Sequence, residues 1–118
     1  VAAIDAADGA SVFKLTHDTF HHHLAGEAQL FADRTALVHI SGVDDPAISV
    51  SQMRDSHRVV VGPHDRLGNI AQIKALRAAG YTGPLSFEPF AAELRTLADP
   101  ARAIAQSIDF IRAQLAIV

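Results

Sequence analysis

The run Ala36-Leu37-Val38-His39-Ile40, closed by Ser41-Gly42, decides the fold. It is a nearly continuous apolar stretch of the kind that a buried strand of a parallel sheet shows. His39 stands out within it, because an imidazole buried among apolar neighbours needs a polar partner.

Working upstream, Ser11 to Thr16 is a short β-prone run. From Phe20 to about Phe31, Leu24, Ala25, Ala28, Leu30 and Phe31 fall loosely at helical spacing despite Gly26. Residues 1–9 read as the last turns of a helix closed by Gly9, with nothing before them to begin it. Downstream, Asp44 to Pro63 is less regular: Asp45-Pro46 and Gly62-Pro63 mark turns, and Arg58 to Gly62 is extended in character. Ile70, Ile73, Leu76 and Ala79 predict a helix ended by Gly80. Pro84 to Phe87 is a further strand, broken by Pro89. Asp99-Pro100 has the arrangement of an N-cap followed by a first-turn proline. The helix it opens is expected to run to the C-terminus with Ile104, Ile108, Ile111 and Leu115 on one face.

Strands alternating with helices imply an α/β fold with a parallel sheet built from βα units. Three strands cannot close a βα barrel, which has eight. The chain is therefore expected either to belong to a larger protein or to complete its sheet by association.

Composition narrows the chemistry. The chain has 118 residues, no cysteine and a formal charge of −3. A disulfide framework, a thiolate zinc site, an Fe–S cluster and a cysteine nucleophile are thereby excluded. Lys14 and Lys74 are the only lysines, and the acidic balance gives no electrostatic pull toward nucleic acid. No apolar run is long enough for a membrane span and no signal-peptide pattern opens the chain, so a cytoplasmic location is expected. All seven histidines lie between positions 17 and 64. Such clustering points to a site.

In parallel α/β architectures ligands bind outside the carboxyl ends of the strands. Asp18 follows the first strand, His39 sits near the end of the second, and Glu88 ends the third. Two carboxylates and one imidazole suit a divalent cation such as Mn²⁺, Mg²⁺, Co²⁺ or Zn²⁺. Each residue also has a plainer reading. Asp18 is equally suited to cap a helix, His39 to be a hydrogen-bonded core histidine, and Asp55, His57 and Arg58 to be an exposed loop cluster. Glu88, lying between Phe87 and Pro89, calls for a metal or cationic partner if buried. Asp65-Arg66 reads as a surface pair or turn, and His22 and His23 as solvent-facing or locally packed.

Taken together, Asp18-Thr-Phe-His21, His39, Asp55-x-His57-Arg58 and Gly80-Tyr81-Thr-Gly83-x-x-Ser-Phe-Glu88 resemble the C-terminal part of the xylose-isomerase-like TIM-barrel superfamily. That group holds sugar-phosphate isomerases and epimerases, 2-keto-myo-inositol isomerases and the endonuclease IV (AP endonuclease family 2) fold. The resemblance is closest to the bacterial sugar isomerase/epimerase branch that includes the inosose isomerase type, and covers about residues 10 to 112. It implies an eight-stranded (β/α)8 barrel of which residues 1–118 supply about the last three βα units.

By resemblance, one divalent ion, Mn²⁺ first and otherwise Zn²⁺, Co²⁺ or Mg²⁺, is held by Asp18, His39 and Glu88. A further glutamate from an earlier strand completes the family's set and has no match here, since Glu27 lies in the wrong segment. The resemblance assigns His21 to substrate contact and catalysis, and Glu88 to one half of an acid–base pair. Arg58, with Arg66 as the other arginine in the loosely aligning stretch, is assigned by the resemblance to substrate oxygens, and Asp55 and His57 to a second shell or second metal. The implied reaction is proton transfer next to a metal-bound carbonyl of a sugar or cyclitol, within carbohydrate or inositol metabolism. The alternatives are an endonuclease IV-like metal-dependent nuclease, and an inactive half-barrel that self-associates through its open sheet edge. The expected partners are the small-molecule substrate and either the missing N-terminal part of the barrel or a second copy, with neither membrane nor nucleic acid.

Overall fold

The strand expected around Val38 forms as β2, Thr35–Ile40, and occupies the centre of a three-stranded sheet. The structure is a computed structural model that describes residues 1–116. β1, Leu15–Asp18, and β3, Leu85–Phe87, flank β2, and both pairings are parallel. α1 (Ala2–Ala6) precedes β1, and α2 (Thr19–Ala25) follows it directly. α3 (Asn69–Ala78) leads into β3, and α4 (Ala92–Arg95) and α5 (Pro100–Ala116) end the described chain.

Strand alternation divides β2 between two jobs. Val38 and Ile40 are almost wholly buried among Ile73 and Leu76 of α3, Tyr81 and Ile111 of α5. His39, between them, must then face the opposite side of the sheet. The register places Asp18 opposite His39 and Ser86 opposite His39 from the other side. Glu88, two residues past Ser86, shares that face, and its backbone N–H donates to the Ile40 carbonyl at 2.9 Å. A second apolar cluster, Phe20, Val43, Met53 and Leu67, lies beyond the carboxyl ends of the strands.

Several boundaries differ from the sequence expectation, each for a local reason. β1 occupies Leu15–Asp18 rather than Ser11–Thr16, because Val12 and Phe13 donate their N–H groups to the Gly9 carbonyl and close a turn. Gly26 ends α2 at Ala25, short of Phe31, by taking the left-handed conformation with φ 63°. At the start of the chain Asp8, not Gly9, adopts positive φ, while the Gly9 N–H reaches back to the Ile4 carbonyl. The short α4 after Pro89 is not foreshadowed by periodicity. α3 and the opening of α5 agree with expectation, and Asp99 Oδ1 accepts the Arg102 N–H at 2.9 Å as an N-cap should. The expected continuation of α5 through residues 117–118 lies outside the described residues.

Leu76 is fully buried where α3 meets the sheet, so truncating it removes packed methyl groups and leaves a cavity. Leu76→Ala is expected to lower unfolding free energy by about 2–5 kcal/mol with an unchanged denaturant slope. Leu97→Ala, at an exposed site, is the control and should shift the urea midpoint little.

Candidate functional site

Asp18 ends β1 and caps α2 at once. Its Oδ1 accepts the backbone N–H groups of Phe20 at 2.9 Å and His21 at 3.2 Å. Its Oδ2 accepts from Arg58 Nη2 at 2.9 Å. The two readings of Asp18, as cap and as ligand, are thus compatible, because each uses a different oxygen.

His39 Nδ1 lies 3.1 Å from Glu88 Oε2 and 4.0 Å from Asp18 Oδ2. Donor atoms of Asp18, His39 and Glu88 all fall within 4.8 Å of one another. Two ligands about 2.1 Å from one ion and roughly at right angles are about 3 Å apart, so small side-chain movements would close this set around a cation. The residues fit a divalent ion by geometry and by donor chemistry, since carboxylate oxygen and imidazole suit hard to borderline metals. The three side chains are part-buried and remain accessible from solvent. No second group of three such donors occurs among the described residues.

Arg58 is the charge at the centre. It is 1% exposed, with its guanidinium carbon 4.8 Å from the Phe20 ring centre and 5.0 Å from that of Phe90. Nη2 donates to both Asp18 Oδ2 and Glu88 Oε2 at 2.9 Å, Nη1 to Asp55 Oδ1 at 3.1 Å, and Nε to Ser41 Oγ at 2.8 Å. Burial acts to lower the Arg58 pKa, but its bond to Asp55 and the nearby Asp18 and Glu88 carboxylates raise it overall. Burial likewise acts to raise Asp18. Its interaction with Glu88, the His21 N–H and the Arg58 charge outweigh that and hold it below the ordinary carboxylate value.

The other expected site residues are placed as follows. His21 is exposed beside Asp18, and both line a cavity of about 500 Å³ along the outer edge of β1. Asp55 is exposed and held to Arg58, whereas His57 Nδ1 accepts the Arg54 N–H and so closes its own turn. Neither belongs to the group of three donors. Arg66 fastens a loop through the Asp45 and Ile48 carbonyls, which makes Arg58 the arginine at the site. His22 packs against His17, and Asp65 accepts the Val43, Leu67 and Asn69 N–H groups rather than pairing with Arg66.

Sequence reasoning missed Thr19, Ser41 and Asn69, which are wholly buried, and the two phenylalanines whose rings lie against the Arg58 guanidinium. Thr19 and Ser41 carried one usable signal, their positions directly after strand ends. Nothing local pointed to Asn69.

The family described as xylose isomerase-like TIM barrel matches residues 1–114. A xylose isomerase domain-containing protein from Salmonella typhimurium LT2 is 28% identical with a TM-score of 0.75, over 98% of this chain and 43% of that one. The IolI protein, solved with a bound zinc atom, is 23% identical with a TM-score of 0.70, over 87% of this chain and 37% of that one. The chain therefore spans less than half the length of either structure. Among curated protein sequences there is no match.

The depressed Asp18 pKa fixes a direction for acid stability. A carboxyl that binds its proton less readily when folded contributes stability above its ordinary pKa of about 3.9, and loses it as pH falls through the lower folded value. With metal removed by a chelator, the urea midpoint should fall more steeply on acidification below about pH 4 for the wild type than for Asp18→Asn. Equal slopes would show that the Asp18 carboxyl is not held down.

Proposed function

Because the chain belongs to the xylose isomerase-like TIM barrel family, we propose that it carries the metal-binding strand ends of a divalent-metal-dependent sugar or inosose isomerase/epimerase. The observation that carries this reading is the convergence of Asp18 Oδ2, His39 Nδ1 and Glu88 Oε2 at the carboxyl edge of the parallel sheet. The zinc in the IolI structure supports a borderline divalent ion, and Mn²⁺ is the ion proposed here.

Asp18, His39 and Glu88 would hold the ion, and the ion would supply Lewis-acid polarisation of a substrate carbonyl. The residues themselves then divide the work. Glu88 turns Oε2 toward His39 and Arg58, which leaves Oε1 as the oxygen that takes or returns a proton at the carbon beside the carbonyl. His21, exposed in the first turn of α2 beside Asp18, contacts substrate hydroxyls. Arg58 holds both carboxylates in place, and its remaining Nη1 hydrogen is the donor for a substrate oxygen. Asp55 steadies that guanidinium from the solvent side.

The partner proposal rests on the sheet. Among the described residues β1 and β3 each have one unpaired edge, and both structural neighbours are more than twice as long as the chain. We propose that further strands of the barrel cover those edges, as unpaired edges otherwise invite pairing with other chains. No helix of the described residues is long and apolar enough to cross a membrane.

Titration with Mn²⁺ during thermal melting tests the metal reading. An ion at about 100 times its dissociation constant should add about 2.7 kcal/mol of stability, and Asp18→Ala and His39→Ala should each abolish the shift. An unmoved midpoint at millimolar Mn²⁺, or an unchanged shift in both variants, would sink it. The reaction is tested by following exchange of substrate hydrogen with D₂O in Mn²⁺-loaded protein supplied with ketoses and 2-keto-myo-inositol. Glu88→Gln should lower exchange by about 10²–10⁴-fold. Exchange unaffected by that change would remove Glu88 from the chemistry.

A further inference from the structure

Behind the three donor atoms runs a buried hydrogen-bond network that the proposed reaction does not use. Asn69 is the first residue of α3 and is fully buried, as are Thr19 and Ser41. Asn69 Oδ1 accepts from Thr19 Oγ1 at 2.6 Å. Asn69 Nδ2 donates to the Ser41 carbonyl at 2.7 Å and to Asp65 Oδ2 at 3.0 Å. Thr19 immediately follows Asp18, and Ser41 comes two residues after His39. One amide therefore ties the ends of two neighbouring strands together at the positions next to two donors.

The chemistry of the contacts demands an amide there. The Ser41 carbonyl and the Asp65 carboxylate can only accept, so the NH₂ of Asn69 must face them and its oxygen must face the Thr19 hydroxyl. A carboxylate at position 69 would have no hydrogen to offer and would face Asp65 as a like charge. An apolar side chain would leave the Thr19 hydroxyl and the Ser41 carbonyl buried without partners, which is costly. The network also reaches the carboxylates by a second route, since Ser41 Oγ accepts from Arg58 Nε and Arg58 Nη2 donates to Asp18 and Glu88.

We propose that Asn69, acting through Thr19 and Ser41, is a positioning residue that sets the spacing of Asp18 Oδ2 and His39 Nδ1 and thereby the affinity of the site for a divalent cation. The inference rests on the metal reading above. Outer partners that orient metal ligands characteristically change affinity by about 10–100-fold when removed.

The test uses variants of near-constant shape. Thr19→Val keeps the packing and deletes the hydroxyl that Asn69 receives, and Thr19→Ser restores that hydroxyl. Asn69→Leu removes the whole junction and is the variant at risk of not folding. Binding of Mn²⁺ alone is measured by calorimetry, and the urea midpoint is measured separately in chelator. Under conditions where each protein is folded, Thr19→Val should bind Mn²⁺ about tenfold or more weakly, and Thr19→Ser within about twofold of wild type. Wild-type affinity in Thr19→Val, whatever its urea midpoint, would overturn the positioning role and leave the network merely structural. A Thr19→Ser variant as weak as Thr19→Val would overturn it too, because the hydroxyl would not be the cause. Absence of Mn²⁺ binding in the wild type itself would instead overturn the metal reading on which the inference rests.

Discussion

The buried guanidinium of Arg58 is the interaction on which the site depends. Asp18 and Glu88 approach each other closely enough for both to bond one nitrogen, and two ionised carboxylates at that separation repel unless a cation lies between them. Arg58 supplies that cation from inside the fold. Its planar donor fork reaches Ser41, Asp55, Asp18 and Glu88 together, and the guanidinium packs over the rings of Phe20 and Phe90. A lysine could supply the charge but not four directed bonds. The cost of burying a charge is offset here by bonding four of its five N–H donors to anionic and hydroxyl oxygens.

The sheet does the coarse positioning. Parallel pairing in the observed register puts Asp18 beside His39, and two-residue alternation puts Glu88 on the same face. A slip of one residue in β2 would send His39 into the apolar layer of Ile73, Leu76 and Ile111, and bring Val38 or Ile40 to the site. The hydrophobic demand of that layer therefore protects the register that brings His39 to Asp18 and Glu88. Finer placement falls to hydrogen bonds: Oδ1 of Asp18 is fixed by the start of α2, and Asn69 joins the chain just beyond Asp18 to the chain just beyond His39.

Much of the fold and of the donor set was legible in the sequence. Ala36 to Ile40 could scarcely be anything but an internal strand, and α3 followed from Ile70, Ile73 and Leu76 with Gly80 behind them. Asp18, His39 and Glu88 were legible because each lies at a strand end, where ligand-binding residues of parallel sheets are found. The boundaries of β1 and α2 were less legible. They depend on which carbonyl captures the N–H groups of Val12 and Phe13, and on Gly26 adopting positive φ where the apolar spacing continues past it.

By itself, then, the sequence determined the βα alternation, the apolar face of the central strand and the presence of two carboxylates and an imidazole at one sheet edge. These follow from periodicity and from residue types at strand ends, which are local properties. Tertiary structure alone decided that Arg58 lies between Asp18 and Glu88, and that Asn69 meets Thr19 across 50 residues and Ser41 across 28. Such partnerships arise where distant segments bury polar groups together and each donor must find an acceptor, and no pattern along the chain specifies which acceptor that will be.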